Sequence, residues 1–348
     1  LISTGYAFTS AYLKGEEARL VASEHVSRLL RVSDIRDALA VMNDTDIGGY
    51  LEQVSLRTFD DIEEHLWLYL RECLQRLEGF KLLPSGMSKV LKAYVVKYDV
   101  LNIKAALWAV SSGRQLRMIP IGVIQGHGLL DSLAQAKDLN DIVETLTTCK
   151  LGNYAEILQE HEKDIAAGGK SRLLAEARLD GEYFRNMLHQ ARSTGNGDLL
   201  STAFGFIIDL TNLQIACRAM VKGMESDAAD YAIPGGYLVT QTAVRDMLSS
   251  NLNDMPQKLG NARYREIADE IVASYDKTGN IATVQEIIDK HKFRLLEEML
   301  SPRLMSPLVM AWYLILKETE MRNVSLILKA ITDGVPVEEV KDYLVVRP

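Results

Sequence analysis

Three times in this sequence a carboxylate stands three residues ahead of an amide: Asp99 and Asn102, Asp209 and Asn212, Glu320 and Asn323. At that spacing on a helix the two groups share a face, where they could ligate a cation, move a proton or hold a partner by hydrogen bonds. Each Asn is followed by an Ala in a fixed place (Ala109, Ala219, Ala330) and then by a Gly (Gly113, Gly223, Gly334). Asn212 follows Asn102 by 110 residues, and Asn323 follows Asn212 by 111. With Gly at about 7% of average usage, a Gly at a preset place in all three copies is roughly a 1-in-3,000 accident. The frame is a repeat. One catalytic or metal site does not need three equally spaced copies, so the pairs read as structural polar locks that fix helix register.

The other candidate chemistry is weaker. Asp60-Asp61-Ile62-Glu63-Glu64 resembles the acidic Mg²⁺–diphosphate motif of the all-α terpene synthases, and an all-α lyase would use Asp60, Asp61 and Glu64. No second metal motif accompanies it, and acids in a first helical turn are favoured by the macrodipole alone. Gly168-Gly169-Lys170-Ser171 ends like a phosphate loop, but Asp164 stands where the first Gly is needed and no strand precedes it. His161-Glu162 lacks its second His, since Ile165 is there, and the six histidines show no ligand spacing. Cys73, Cys149 and Cys217 are far apart and read as buried thiols. No catalytic, cofactor-binding or metal residue is expected.

The elements that would carry the locks are helices. Apolar residues recur at helical spacing and strand alternation is missing, so the fold class is all-α. The spacing predicts a helix over 11–31, a short one opening at Asp34, and a turn at Thr45-Asp46-Ile47-Gly48-Gly49-Tyr50-Leu51, where two glycines permit positive φ. Asp138 to Tyr154 repeats Asp34 to Tyr50, and Asn251 to Tyr264 is a looser third version. Middle helices are expected over 58–77, 171–191 and 281–300, and long ones over 88–112, 199–224 and 307–332. Along the long helices, small residues towards the C-terminal half suit close helix approach.

A chain of 348 residues exceeds one simple core, and units of about 110 are ordinary domains. The repeat gives helical domains at 1–127, 128–238 and 239–348. Hydrophobic content of 47%, charge of 25% and a net charge of −8 describe a globular chain and argue against a nucleic-acid partner. The start, LISTGYAFTSAYLKGEEARLV, lacks a basic stretch before an apolar core, so no secretory leader is expected. The longest apolar run, 307–316, is far short of the ~20 residues that span a bilayer.

The ordered motifs resemble one family, the C subunits of the archaeal-type (A/V-type) rotary ATP synthases, counterparts of the d subunit of the vacuolar ATPase. Thr45 to Leu51 is similar to that family's T-D-Y-G-x-[FY]-L segment, with Ile47 in place of Tyr, and Glu320-Met321-Arg322-Asn323-Val324 to its E-x-R-N-[IV] signature. Lys97-Tyr98-Asp99-Val100-Leu101-Asn102 and Asp209-Leu210-Thr211-Asn212-Leu213 match the equivalent places. The resemblance implies three similar helical domains about a pseudo-threefold axis, forming a funnel on the cytoplasmic face of the membrane. It implies central-stalk subunits and the proteolipid rotor ring as partners, membrane contact only through them, no cofactor and no catalytic site. The role would be mechanical, in proton or sodium transport coupled to ATP synthesis or hydrolysis. A generic all-α scaffold is the alternative, but solenoids repeat every 20–50 residues, and a period near 110 favours closed threefold packing.

Overall fold

Helix follows helix in the computed structural model, which describes residues 4–346 except 57, 115, 225 and 302, and no strand occurs among the described residues. The chain opens with α1 (Thr4–Glu17), α2 (Ser23–Leu29), α3 (Ile35–Met42), α4 (Asp46–Leu51) and α5 (Phe59–Glu78), then the long α6 (Ser85–Ser112). Short helices come next: α7 (Val123–Gly126), α8 (Leu130–Ala134), α9 (Leu139–Thr148), α10 (Gly152–Glu160) and α11 (Glu162–Ala167). They lead to α12 (Gly169–Arg192) and a second long helix, α13 (Gly197–Val221). The last stretch holds α14 (Gln241–Leu248), α15 (Met255–Lys258), α16 (Ala262–Thr278), α17 (Ala282–Leu300) and the third long helix, α18 (Leu308–Thr332).

Local chemistry sets several starts. Asp34 caps α3 by accepting the Arg36 N–H at 2.7 Å, and Asp138 caps α9 through Asp141 N–H at 3.0 Å. Thr58 and Asp61 form a reciprocal capping box on α5, with bonds of 2.9 and 3.2 Å. The acidic run over 60–64 therefore contains a capping residue, Asp61, and no group of three or more His, Cys, Asp or Glu side chains arranged for a metal occurs among the described residues. The side chains of Lys170 and Ser171 lie outside the described residues. All three cysteines are buried free thiols.

Contacts divide the chain into two compact units, Leu1–Met87 with Phe293–Pro348, and Ser88–Lys292. In the second unit, one core joins α6 (Val100, Ile103, Leu107) to α7–α10 and to Leu179 of α12. Another joins α13 (Leu210, Leu213, Cys217) to α14–α16 and to Val284 and Ile288 of α17. The first unit follows the same recipe, but its long helix is α18 (Val324, Ile327, Leu328) and its smaller helices are α2–α5 from the chain's start. In the two cores of the second unit the long helix packs on short helices that come after it, α6 on α7–α10 and α13 on α14–α16, whereas α18 packs on helices that come before it.

Three local expectations are corrected. The helix expected over 11–31 is broken between Glu17 and Ser23. There Arg19 N–H bonds to Glu16 and Ala22 N–H to His25 Nδ1, while Val21 N–H leaves for Glu320. The segment at Asp46–Leu51 is helix α4, and Gly48 and Gly49 are not among the positive-φ glycines. Gly48 serves close approach instead: a Cβ there would sit 1.9 Å from the Met42 carbonyl oxygen. The third short helix is α14, capped by Thr240, which buries Val244 and Met247. It lies ahead of the expected 251–264 because the preceding loop differs in length.

One more expectation needs refining. Although its apolar runs are interrupted, α13 is long and apolar enough to cross a membrane by length and composition, and 67% of its most apolar window is buried inside the protein. The helix also buries Asp209 and Asn212, and its apolar side chains are already committed to the core.

Candidate functional site: three carboxylate–asparagine locks

All six lock residues are buried, with Asp99, Asp209 and Asn212 wholly inaccessible. An asparagine side chain offers one acceptor and a donor amide, which matches the N–H and C=O of a single backbone residue. That match is used three times. Asn102 Nδ2 donates to the Ile119 carbonyl (2.9 Å) and its Oδ1 accepts the Ile119 N–H (2.7 Å). Asn212 does the same with Ile233, at 2.9 and 2.7 Å, and also donates to the Val239 carbonyl at 2.7 Å. Asn323 repeats it with Val345, at 2.8 and 3.1 Å.

An ionised carboxylate only accepts, so it belongs opposite N–H groups. Asp99 takes the Val123 and Ile124 N–H groups at 2.7 and 2.9 Å. Asp209 takes Leu238 N–H at 3.1 Å, Val239 N–H at 2.9 Å and the Tyr264 hydroxyl at 2.8 Å. Glu320 receives Val21 N–H at 2.9 Å, and its other oxygen takes the Lys317 ammonium at 3.2 Å, which also donates to the Tyr69 hydroxyl at 2.7 Å. Lys317 is itself almost fully buried. Burial pushes the Asp99 carboxyl up to about 6, against the pull of its two N–H donors and His127. Burial likewise raises Glu320, opposed by Lys317 and the Val21 N–H.

The backbone residue that each Asn clasps comes after the glycine stop. Gly113, Gly223 and Gly334 all have φ between 61° and 69°. In the second and third copies the Ala carbonyl accepts the N–H of the residue past the Gly, Met224 to Ala219 at 2.9 Å and Val335 to Ala330 at 2.8 Å. Gly223 and Gly334 themselves bond to Met220 and Ile331, which completes a Schellman motif. In the first copy Gly113 N–H bonds directly to Ala109 at 2.8 Å, the simpler left-handed cap. The small Ala thus contributes its carbonyl to the stop.

The partners were not singled out in the sequence, although a signal exists. Ile119-Pro120-Ile121-Gly122 and Ile233-Pro234-Gly235-Gly236 share Ile-Pro-x-Gly, with the Ile bound by Asn and the Gly laid over the acid. A Cβ on Gly122 would lie 2.4 Å from Asp99 Oδ1, and one on Gly236 would lie 2.3 Å from Asp209 Oδ1. The two loops differ in length, so a search at fixed offset passes over them. Nor does the repeat frame assign a role to Lys317 or Tyr69. In the third copy the Asn partner is near the chain's end and the acid partner near its start, and a cavity of about 250 Å³ is lined by Glu320, Asn323, Val21 and Val345.

This triple lock extends over most of the chain, and so does a match to known proteins. A family model described as ATP synthase (C/AC39) subunit matches residues 9–343. The chain belongs to that family. It is 24% identical over 98% of its length to the C subunit of the A-type ATP synthase of Methanocaldococcus jannaschii, covering 86% of that protein. The corresponding C subunit of Methanothermobacter thermautotrophicus is 22% identical over 97% of the chain and 87% of its own length. That of Pyrococcus abyssi is 25% identical over 98% and 90%. Among C/AC39 proteins as dissimilar as these, the burial of the lock residues gives a physical reason to look for them in each relative.

Proposed function

We propose that the chain is the rotor (central-stalk) C subunit of an A-type ATP synthase, a non-catalytic link between the central stalk and the membrane rotor ring. Its three lock-bearing modules stand about a pseudo-threefold axis as a funnel, on the cytoplasmic face of the membrane, and pass torque in proton or sodium transport coupled to ATP synthesis or hydrolysis. The observation that carries this reading is the recurrence of one Asn-to-backbone clasp in all three copies, at Ile119, Ile233 and Val345, with Glu320 of the third copy also holding Val21. Family membership and the similarity to C subunits of A-type ATP synthases support the complex. The mechanical role is supported by the character of the locks: fully paired polar groups in a low-dielectric interior are costly to distort.

The test is binding. The full chain is expected to associate with a purified rotor ring in detergent and with isolated central-stalk subunits, and to hydrolyse no ATP alone. Failure to bind either partner, where a C/AC39 relative binds both under the same conditions, would sink the reading.

A further inference from the structure

Two successive backbone N–H groups in the break between α1 and α2 are held by titratable side chains. Val21 N–H bonds to Glu320 Oε1 at 2.9 Å, and Ala22 N–H bonds to His25 Nδ1 at 3.0 Å. Neither has a backbone acceptor among the described residues. The two holders differ in what a proton does to them. A carboxyl keeps an acceptor oxygen whether or not it is protonated, so Val21 stays held while burial and Asp46 push Glu320 towards its protonated form and Lys317, at 3.2 Å, pulls it back. A ring nitrogen that takes a proton has no acceptor left.

His25 is the third residue of α2, the place from which Glu or Gln reaches back to the N-cap N–H in a capping box. The N-cap itself, Ala22, has no side chain that could cap in turn. An N–H bonds to Nδ1 only where that nitrogen carries a lone pair, so the ring is neutral and its proton is on Nε2, 3.0 Å from Asp44 Oδ1. A second proton must therefore go to Nδ1, where it sets one donor against another. Asp44, between α3 and α4, favours the protonated ring, and Arg28, which lies near Asp44, opposes it. Asp44 is 65% exposed, so water screens its pull. What it gains holds the ring, not the backbone that Nδ1 has released.

We propose that His25 is a proton-operated catch: when it is protonated, Nδ1 lets go of the Ala22 N–H and the first turn of α2 loosens beside the third lock. Val21, Ala22 and Ser23 form part of the wall of the cavity of about 250 Å³ that Glu320 and Asn323 also line. Release at Ala22 makes that wall mobile, with Val21, still held by Glu320, as the pivot. In the second copy the helix that follows the acid-held backbone is capped by Thr240, whose hydroxyl takes the Ala243 N–H at 3.4 Å and does not titrate. The catch lies within one compact unit and does not depend on the rotor reading.

Histidine changes charge between about pH 5 and 8, and the full chain is to be compared at those two ends. Ring-nitrogen NMR at the alkaline end is expected to show His25 as the Nε2–H tautomer. Protection of the Ala22 amide against hydrogen exchange, corrected for the intrinsic rate, is expected to fall about fivefold at the acid end. His25→Gln keeps an acceptor at either end and is expected to retain the protection and lose its pH dependence. His25→Ala is expected to show the low protection at both. Far-UV circular dichroism melts confirm that each variant is folded. An Nδ1–H tautomer at the alkaline end, Ala22 protection that does not change with pH, or a fall that persists in His25→Gln would overturn the proposal. None of these readings involves a rotor ring or a stalk subunit, so failure here and failure of the rotor reading are separately visible.

Discussion

Substituting Asn212 by Leu strips three buried backbone groups of their partner: the Ile233 N–H, the Ile233 carbonyl and the Val239 carbonyl. A buried polar group left unpaired costs about 1–3 kcal/mol. Set against the gain from burying a leucine side chain, the expected loss is about 3–6 kcal/mol, a large part of the roughly 5–15 kcal/mol that holds a typical protein together. Asn102→Leu strips only the two groups of Ile119 and is expected to cost about 2–4 kcal/mol. Asn212→Asp is expected to be at least as harmful as Leu, since it sets a second carboxylate oxygen against two carbonyls. Urea unfolding measures the losses, and amide hydrogen exchange at Ile233 and Val239 tells local loosening from global unfolding. A loss under about 1 kcal/mol with unchanged exchange, or Asn102→Leu proving the worse, would refute the reasoning that ties each lock's worth to the groups it satisfies.

Further expectations concern the acids and the glycines. Glu320→Gln leaves the Lys317 ammonium buried without a counter-ion and is expected to cost about 3–5 kcal/mol, with Lys317→Met in the same chain recovering much of it; thermal melts of single and double variants decide. Gly122→Ala is expected to destabilise by at least about 2 kcal/mol more than Gly113→Ala, because Gly122 combines φ of 116° with an oxygen in the path of a Cβ, whereas Gly113 has open space. Equal losses would mean that only backbone conformation matters. Asp99 holds its proton more tightly folded, at a pKa of about 6, than unfolded, at about 3.9. Its contribution, on the order of 3 kcal/mol, is full below about pH 4 and is lost as pH rises through about 6. A carboxyl titration by NMR with a midpoint in the ordinary aspartate range would exclude this.

Helix type and most helix positions were legible because burial imposes the 3.6-residue period directly on residue types. The three long helices and their glycine stops came with the repeat frame, since a left-handed cap admits few residues other than Gly. The clasp partners were not legible. A backbone N–H or C=O is carried by almost any residue, so Ile119, Ile233 and Val345 needed no special side chain to serve. Their loops also differ in length, which erased the offset that made Asn102, Asn212 and Asn323 visible. The break after Glu17 was hidden for a related reason: residues 18–22 keep helix-compatible side chains, and what removes Val21 from the helix is an acceptor 299 positions away. The glycines at 48 and 49 misled because the side chain alone does not tell left-handed backbone from close packing, and at Gly48 it is the packing that excludes a Cβ.

The joining of Val21 and Val345 to neighbouring places on one helix has a consequence for synthesis. Residues 88–292 form a compact unit of continuous chain, whereas α2–α5 emerge before that unit and must wait for α18, made after it, before their apolar faces are covered. While the intervening 88–292 are being made, the nascent protein therefore carries α2–α5 with their apolar faces uncovered, the state in which exposed hydrophobic surface invites aggregation. Slowing elongation late in the message should harm the yield of this chain more than slowing it early.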